Sequence, residues 1–429
     1  MAPDAATDLI APLLTPAGWE LLNSLEPYDE ADTLRLSTTL RRAGHDPLVI
    51  SAALTQSRLR AKAETKFGPF AARMLFTAAG LEQATRLGVA ARHAERYVTA
   101  RLERVADLGC GIGADAIALA SLDRQVTAVE IDETTAAAAT MNLMPWPNAT
   151  VVGGDAESFD LTGYDGVWLD PARRTTTTSG TTRLFDPEAF SPPLSFVERL
   201  ADSGTPLGVK LGPGIPHEAV PAGCEAQWVS VDGDVTELTL WFNSLRRDDV
   251  RRSALVISSH GAAELNSAAD FDDETRPPMG APEGYLYEPD GAVIRAGLVA
   301  DVARGLAGHL LDPRIAYICA PTLQDTPFAR AYRVLSVMPF NVKALRAWVR
   351  ENGIGVLDIK KRGTSVTPEE LRKQLLAGAG KSAGKKKATL VLTRIGEDRV
   401  AIVVEPVVSA EKCQCWMEQL GHGSGHSSY

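Results

Sequence analysis

No stretch of this 429-residue chain approaches the roughly 18 uninterrupted apolar residues that a membrane-spanning helix requires, and 23% of the residues are charged. A helical membrane protein is therefore excluded. A disulfide framework is missing as well. The five cysteines, Cys110, Cys224, Cys319, Cys413 and Cys415, are odd in number and lack scaffold spacing, which fits a reducing compartment. The N-terminus, MAPDAATDLIAPLL, is acidic where a secretory signal would be basic, so a cytoplasmic location is expected. The chain also has no overall basic excess: 44 Lys and Arg face 54 Asp and Glu, for a net charge of −10. What it does have is 45% apolar residues, enough for packed cores, and a length that allows about two to four domains.

The acidic total hides an asymmetry. Residues 343–399 carry 14 basic and 6 acidic side chains, a local +8, whereas residues 1–342 carry −16. A basic module joined to an acidic body is the pattern expected when one part contacts phosphate and another does something else.

Along the chain, residues 1–100 are rich in Ala, Leu, Arg and Glu with few β-branched runs, and read as a helical N-terminal region. From Arg104 onward, short apolar strands alternate with helical stretches: RVADL, QVTAVEI, ATVVGG, YDGVWLD and PLGVKLG. That alternation predicts right-handed βαβ units and a parallel sheet over residues 101–245. CEAQWVSV and VTELTLWF, separated by Asp232, Gly233 and Asp234, predict a hairpin at its edge. Residues 246–330 read as a connecting segment, with a strand near 254–258, a Pro/Gly/Asp-rich loop through 268–284 and a helix beginning near Gly291. Residues 331–408 read as a small α/β domain of strand, helix, strand, helix, basic glycine loop and two strands. Residues 409–429 read as a disordered tail.

The first strand runs into Asp107-Leu-Gly109-Cys-Gly111-Ile-Gly113 and then a helix. A glycine turn lets the backbone approach a ligand, and the helix start offers unpaired N–H groups. The dinucleotide fingerprint is lacking, because the third glycine comes one position early. Glu130, at the end of the second strand, is placed to accept hydrogen bonds from ribose hydroxyls. Asp155 and Ala156 follow the third strand, where a carboxylate can receive an exocyclic amine. Asp170, Pro171, Ala172 and Arg173 end the fourth strand.

This set resembles the class I S-adenosylmethionine-dependent methyltransferases, whose first motif has the DxGxGxG pattern seen here as DLGCGIG. The resemblance covers about residues 104–243 and implies a Rossmann-like sheet with a terminal antiparallel hairpin and S-adenosyl-L-methionine as cofactor. It implies that Gly109, Gly111 and Gly113 flank the methionine part of the cofactor with Asp107 nearby, that Glu130 holds the ribose, and that Asp155 faces the adenine. Asp132 is read equally as the cap of the next helix.

The acceptor site is expected at the fourth strand end, since open α/β sheets bind ligands outside the carboxyl ends of their strands. Amino-methylating relatives carry an aromatic residue at its fourth position. Here that residue is Arg173, which argues against N6-adenine methylation. DPAR also occurs in RNA uridine C5 methyltransferases, which need a cysteine after the next strand. VKLGPGIPHE has none. Direct transfer to a base nitrogen is the simpler reading, with Asp170, Pro171, Arg173 and Lys210 around the acceptor. Lys66, Phe67, Glu82 and Gln83 are candidates to fold over the site, or simply charged helix surface.

The wider layout, through TKFG with LEQAT, DPARR, VKLGPG, YEPDGAVIRAGL and LDIKKRG, resembles bacterial proteins with a helical N-terminal region, a methyltransferase core and a THUMP-like C-terminal domain. THUMP is an RNA-binding domain of tRNA-modifying enzymes, so an RNA partner is implied. Lys360, Lys361, Arg362, Lys385, Lys386 and Lys387 are the candidate phosphate contacts. Cys413, Cys415, His422 and His426 carry zinc-compatible side chains, but Cys-x-Cys is tighter than usual and no metal is expected. A small-molecule or protein methyltransferase, and a non-catalytic RNA-binding protein of this fold, are the alternatives.

Overall fold

The computed structural model describes residues 10–173, 186–271, 277–377 and 386–407. Contacts divide the chain into two units. The first comprises Met1–Leu211, Ile215–Glu225 and Thr239–Asp248, and the second Gly212–Gly214, Ala226–Leu238 and Asp249–Tyr429.

The first unit opens with helices α1 (Pro16–Ser24), α2 (Thr33–Arg42), α3 (Pro47–Phe67), α4 (Ala78–Gln83) and α5 (Leu87–Thr99). The start of α3 is set by Asp46, whose carboxylate accepts the N–H of Leu48 at 2.7 Å, with Pro47 in the first turn. Gly68, at φ +55°, ends it. Next come β1 (Arg104–Leu108), α6 (Ala114–Ser121), β2 (Gln125–Glu130), α7 (Glu133–Leu143), β3 (Ala149–Gly153) and β4 (Gly166–Leu169). The short antiparallel pair β5 (Ala172–Arg173) and β6 (Phe190–Ser191), helix α8 (Leu194–Asp202) and β7 (Leu207–Leu211) follow. The chain continues through β8 (Glu225–Val231), β9 (Asp234–Phe242), β10 (Arg252–Ser258) and β11 (Gly261–Ser267).

Strand order in this nine-stranded sheet is β11-β10-β8-β9-β7-β4-β1-β2-β3. β3, β2, β1, β4 and β7 are mutually parallel. The chain winds outward from β1 to β3 and returns to β4 on the other side of β1. That reversal opens a crevice at the carboxyl ends of β1 and β4. Asp232 at φ +53° and Gly233 at φ +90° make the hairpin turn between β8 and β9. The sheet runs on past that hairpin, because β10 adds parallel to β8 and β11 antiparallel to β10.

The N-terminal helices share one core with the sheet. Ile10, Leu13, Leu21, Ile50, Leu59, Phe67, Leu75 and Phe76 belong to the same buried cluster as Ile112, Ile117, Leu143, Trp168 and Trp241. A polar clamp reinforces the junction. Asn142 of α7 accepts from the Leu75 N–H at 2.7 Å and donates to the carbonyls of Leu75 and Ile112, each at 2.9 Å.

Residues 246–330 are more structured than a connecting segment. Besides β10 and β11 they hold β12 (Tyr285–Pro289), α9 (Gly291–Arg295), α10 (Val299–Gly305), β13 (His309–Asp312) and β14 (Ile315–Ala320). Asp290 caps α9 by accepting the Ala292 N–H at 2.8 Å. The remainder is β15 (Ala329–Pro339), α11 (Val342–Glu351), β16 (Ile354–Lys361), α12 (Pro368–Leu376), β17 (Lys386–Ile395) and β18 (Asp398–Pro406), in the order read from the sequence. These strands form a second, seven-stranded sheet ordered β13-β14-β12-β15-β18-β17-β16. Leu345 and Val349 of α11 and Leu371 and Leu375 of α12 pack on Leu390 and Leu392, while Val391 belongs to a second cluster with Tyr317, Tyr332 and Ile402. β17 is thus buried on both faces, which explains its nearly unbroken apolar run. Among the described residues, no helix is long and apolar enough to cross a membrane.

Candidate active site

The glycine turn after β1 is pinned to the end of β2. The N–H groups of Gly109 and Cys110 both donate to the Val129 carbonyl, at 2.9 and 3.0 Å, and the Gly111 N–H donates to Glu130 Oε2 at 3.0 Å. Gly109, Gly111 and Gly113 have φ of +77°, +56° and +87°, conformations that L side chains rarely adopt. A Cβ at Gly111 would project into open space, whereas one at Gly109 would stand 3.1 Å from the Asp170 carbonyl. The turn is therefore folded tightly against β4 on one side and open on the other.

Four carboxylates gather here. Asp107 is fully buried and neither of its oxygens has a hydrogen-bond partner. Burial, reinforced by the carboxylates of Asp115 and Asp170, pushes its pKa well above the ordinary range, with Lys210 opposing. Glu130 is held by the N–H groups of Gly111 and Asp132, one on each oxygen, so each oxygen keeps a further lone pair. Asp132 caps α7 through the Thr135 N–H at 2.8 Å. Asp155 is exposed and accepts the Glu157 N–H at 3.1 Å; Ala156 beside it is half-buried. The Gly154 N–H bonds the Glu130 carbonyl at 3.0 Å, which ties the ends of β2 and β3 together.

Asp170 pairs with Lys210 of β7 at 2.5 Å. The same ammonium donates to the Gln83 carbonyl at 3.1 Å and to Thr85 Oγ1 at 3.2 Å. An ammonium has three N–H donors, and all three find acceptors. Lys210 therefore fixes Asp170 in place and is spent in doing so. Pro171 is buried, and Arg173 pairs through its backbone with Phe190.

A chain of polar groups continues inward from Lys210. The Thr85 hydroxyl donates to Asp115 Oδ2 at 2.8 Å, and Asp115 Oδ1 lies 2.8 Å from His93 Nδ1. His93 stacks on Trp168 with ring centres 4.4 Å apart. Burial would raise the Asp115 pKa, but the bonds from His93 and Thr85 together with the charge of Lys210 hold it low. An ionised carboxylate only accepts, so Thr85 must point its proton at Asp115 and its lone pair at Lys210.

The segments around Lys66 and Gln83 meet here, where charged helix surface was the plainer sequence reading. Lys66 Nζ donates to the carbonyls of Leu81, Glu82 and Ala84, at 2.8, 2.7 and 2.8 Å. Together the two lysines take four successive carbonyls at the end of α4. Neither Cys110 nor Cys224 is poised as a nucleophile: burial, with Asp107 and Glu130 nearby, pushes the Cys110 thiol far up, and Cys224 is buried with its thiol on the Pro221 carbonyl.

In the second unit the candidate phosphate contacts separate. Lys360 pairs with Glu288 at 2.8 Å and Arg362 lies 3.8 Å from the same carboxylate, which leaves Lys361 as the exposed member of that trio. Lys386 and Lys387 are exposed at the start of β17. The parallel register places Lys387 opposite Val356 and Leu392 opposite Lys361, so the two clusters stand at opposite ends of the strand pair, about 17 Å apart. Lys385, Cys413, Cys415, His422 and His426 lie outside the described residues. No metal-binding cluster occurs among the described ones.

Thr85, Asp115 and His93 were not singled out from sequence. The available signals were Asp115 in the apolar helix ADAIALA and Thr85 at the end of LEQAT. Ile131, directly after Glu130, is also new: its side chain is 73% exposed at the carboxyl edge of the sheet.

Comparison with known proteins places these features. The pattern of a THUMP domain-like family matches residues 329–406, and that of a domain of unknown function matches residues 6–63. Two uncharacterized S-adenosylmethionine-dependent methyltransferases of Mycobacterium tuberculosis, from strains CDC 1551 / Oshkosh and ATCC 25618 / H37Rv, are each 31% identical over 353 residues. The match spans 79% of this chain and 91% of theirs. A solved structure from Porphyromonas gingivalis W83, provisionally assigned as a methyltransferase, superimposes with a TM-score of 0.68 at 19% identity. It covers 89% of this chain and 100% of that one, a likeness of fold.

Proposed function

Since the chain belongs to the S-adenosylmethionine-dependent methyltransferases, we propose that it methylates a base nitrogen in RNA. The observation that carries RNA as acceptor is the THUMP domain-like match at residues 329–406, in one chain with a methyltransferase sheet. Basic groups at both ends of the β16–β17 pair support it.

S-adenosylmethionine is the cofactor, and when bound it supplies an electrophilic methyl group. The residues present fit it. A buried carboxylate with no partner suits a cationic amine, and the open side of Gly111 leaves room for close backbone approach. Asp107 would hold the ammonium of the methionine part, with Gly109, Gly111 and Gly113 flanking it. Glu130 would take the ribose hydroxyls, Asp155 and Ala156 would face the adenine, and Ile131 would cover its ring.

On the acceptor side, Asp170 accepts a hydrogen bond from the nitrogen to be methylated and receives its proton, while the nitrogen lone pair remains aimed for in-line attack. Pro171 gives that strand end a rigid wall, and the Arg173 side chain lies outside what the structure describes. Lys210 acts through Asp170 by fixing its carboxylate.

The test is transfer of labelled methyl to RNA from cells lacking the protein, with RNase controls and nucleoside mapping. Label in an N-methylated nucleoside is expected. Label confined to protein or small molecules would refute RNA as the acceptor.

A further inference from the structure

We propose that the solvent face of α3, carrying Arg58 and Lys62, docks the phosphate backbone of the acceptor RNA. The identity of the polyanion rests on the function proposed above; the surface itself rests on charge. Within the acidic body, residues 33–73 hold 8 Lys and Arg against 2 Asp and Glu, a local +6 that a −16 total conceals. Arg41, Arg42, Arg58, Lys62 and Arg73 are all exposed, and none has a carboxylate partner among the described residues.

The arrangement on α3 is directional. Arg58 and Lys62 are one turn apart on the same face, separated by about 6 Å along the axis. Lys66 repeats the step at the end of the helix. Burial, together with the neighbouring cations Lys210, Arg86 and Lys62, lowers the Lys66 pKa to about 8, which places these groups within electrostatic reach of one another. Positive charge thus steps along α3 to Lys210, the partner of Asp170, inside one unit of the protein.

A merely solvated helix face gains by alternating signs, since like charges four residues apart cost the helix a few tenths of a kcal/mol. Arg58 and Lys62 incur that cost, and an external anion relieves it. In the second unit, by contrast, several cations are neutralised internally: Lys360 and Arg362 by Glu288, Arg394 by Glu397 and Arg314 by Asp312.

The test measures binding of fluorescent bulk transfer RNA, and separately ribosomal RNA, between 50 and 200 mM KCl for the full-length chain. In the Arg58→Ser/Lys62→Ser double variant the slope of log K against log salt should become shallower by about 1.4 to 1.8, with affinity at the lowest salt down at least roughly tenfold. Affinity for S-adenosylhomocysteine should stay within about twofold, which establishes that the variant is folded. Arg101→Asn, at the amino end of β1, should leave the slope unchanged. An unchanged slope in the double variant, or an equal change in the Arg101 control, would overturn the docking face alone. Wild-type protein that binds neither RNA would overturn both the face and the RNA reading. Binding of polyglutamate that needs Arg58 and Lys62, without RNA binding, would assign the face to an acidic protein and overturn the proposal.

Discussion

Replacing Asp107 with Asn should stabilise the ligand-free protein increasingly as pH rises, while weakening the cofactor. Asp107 is fully buried and neither oxygen is hydrogen-bonded. Burial, then Asp115 and Asp170, raise its pKa well above the usual value. An unfolded Asp loses its proton near pH 3.9. Between that pH and the raised folded value, the native state holds a proton that the unfolded state has released. The contribution of this group to stability is therefore complete below about pH 4 and falls as pH rises toward the folded pKa, by at most ~1.4 kcal/mol per pH unit. Asn does not titrate, so the variant escapes this loss. With roughly 2–4 °C per kcal/mol for a unit of this size, its Tm advantage should grow by at most about 3–6 °C per pH unit, levelling off above the folded pKa. Thermal melts of both proteins without ligand from pH 5 to 8 measure this directly, and titrating groups not coupled to Asp107 cancel in the difference. Adding S-adenosylhomocysteine offsets part of that advantage. Loss of one charge-assisted bond, about 1.5–3 kcal/mol, should weaken its binding by about 10- to 150-fold. A Tm difference that is constant with pH, or an unchanged affinity, would refute the account of Asp107.

Three other expectations follow from the same site. Thr85→Val removes the hydroxyl that links Asp115 to Lys210 and should lower methyl transfer at least about tenfold, whereas Thr85→Ser should restore it; equal loss in both would make the effect one of packing. Gly111→Ala must hold φ near +56° with its methyl in the open side of the turn, so calorimetry should find about 1 kcal/mol of lost stability but a disproportionate, more than tenfold, loss of cofactor affinity. Asp170→Ala should abolish transfer and leave cofactor binding nearly intact by titration; loss of both would move Asp170 to the cofactor side.

The parallel sheet, its glycine turn and the order of the C-terminal elements were readable because each rests on local chemistry: β-branched runs, glycines needing positive φ, and a helix starting just after the turn. The placement of Glu130, Asp107 and Asp170 was readable for the same reason, since each stands at a strand end that the topology gathers. Thr85, His93 and Asp115 were not, because their meeting depends on how α5 packs over α6, and no spacing encodes that. In residues 246–330 only the strand near 254–258 and the helix from Gly291 were readable; the rest resisted for another reason. Their strands complete sheets begun far away in the chain, and a lone edge strand such as GAAELNS carries little apolar pattern of its own. Charge misled at both scales. The total hid the C-terminal excess, and the segment count hid both the Glu288 pairs within that excess and the basic helices within the acidic body.

The Asn142 clamp makes the first hundred residues part of the glycine turn's foundations. One amide joins the chain ahead of α4 to the carbonyl of Ile112 in the glycine turn. Cutting the protein at the boundary suggested by composition would strip that turn of its brace and expose the apolar side of Ile112 and Leu143. The catalytic sheet here is not a portable cassette to be spliced onto another body; it travels with its helical preface or not at all.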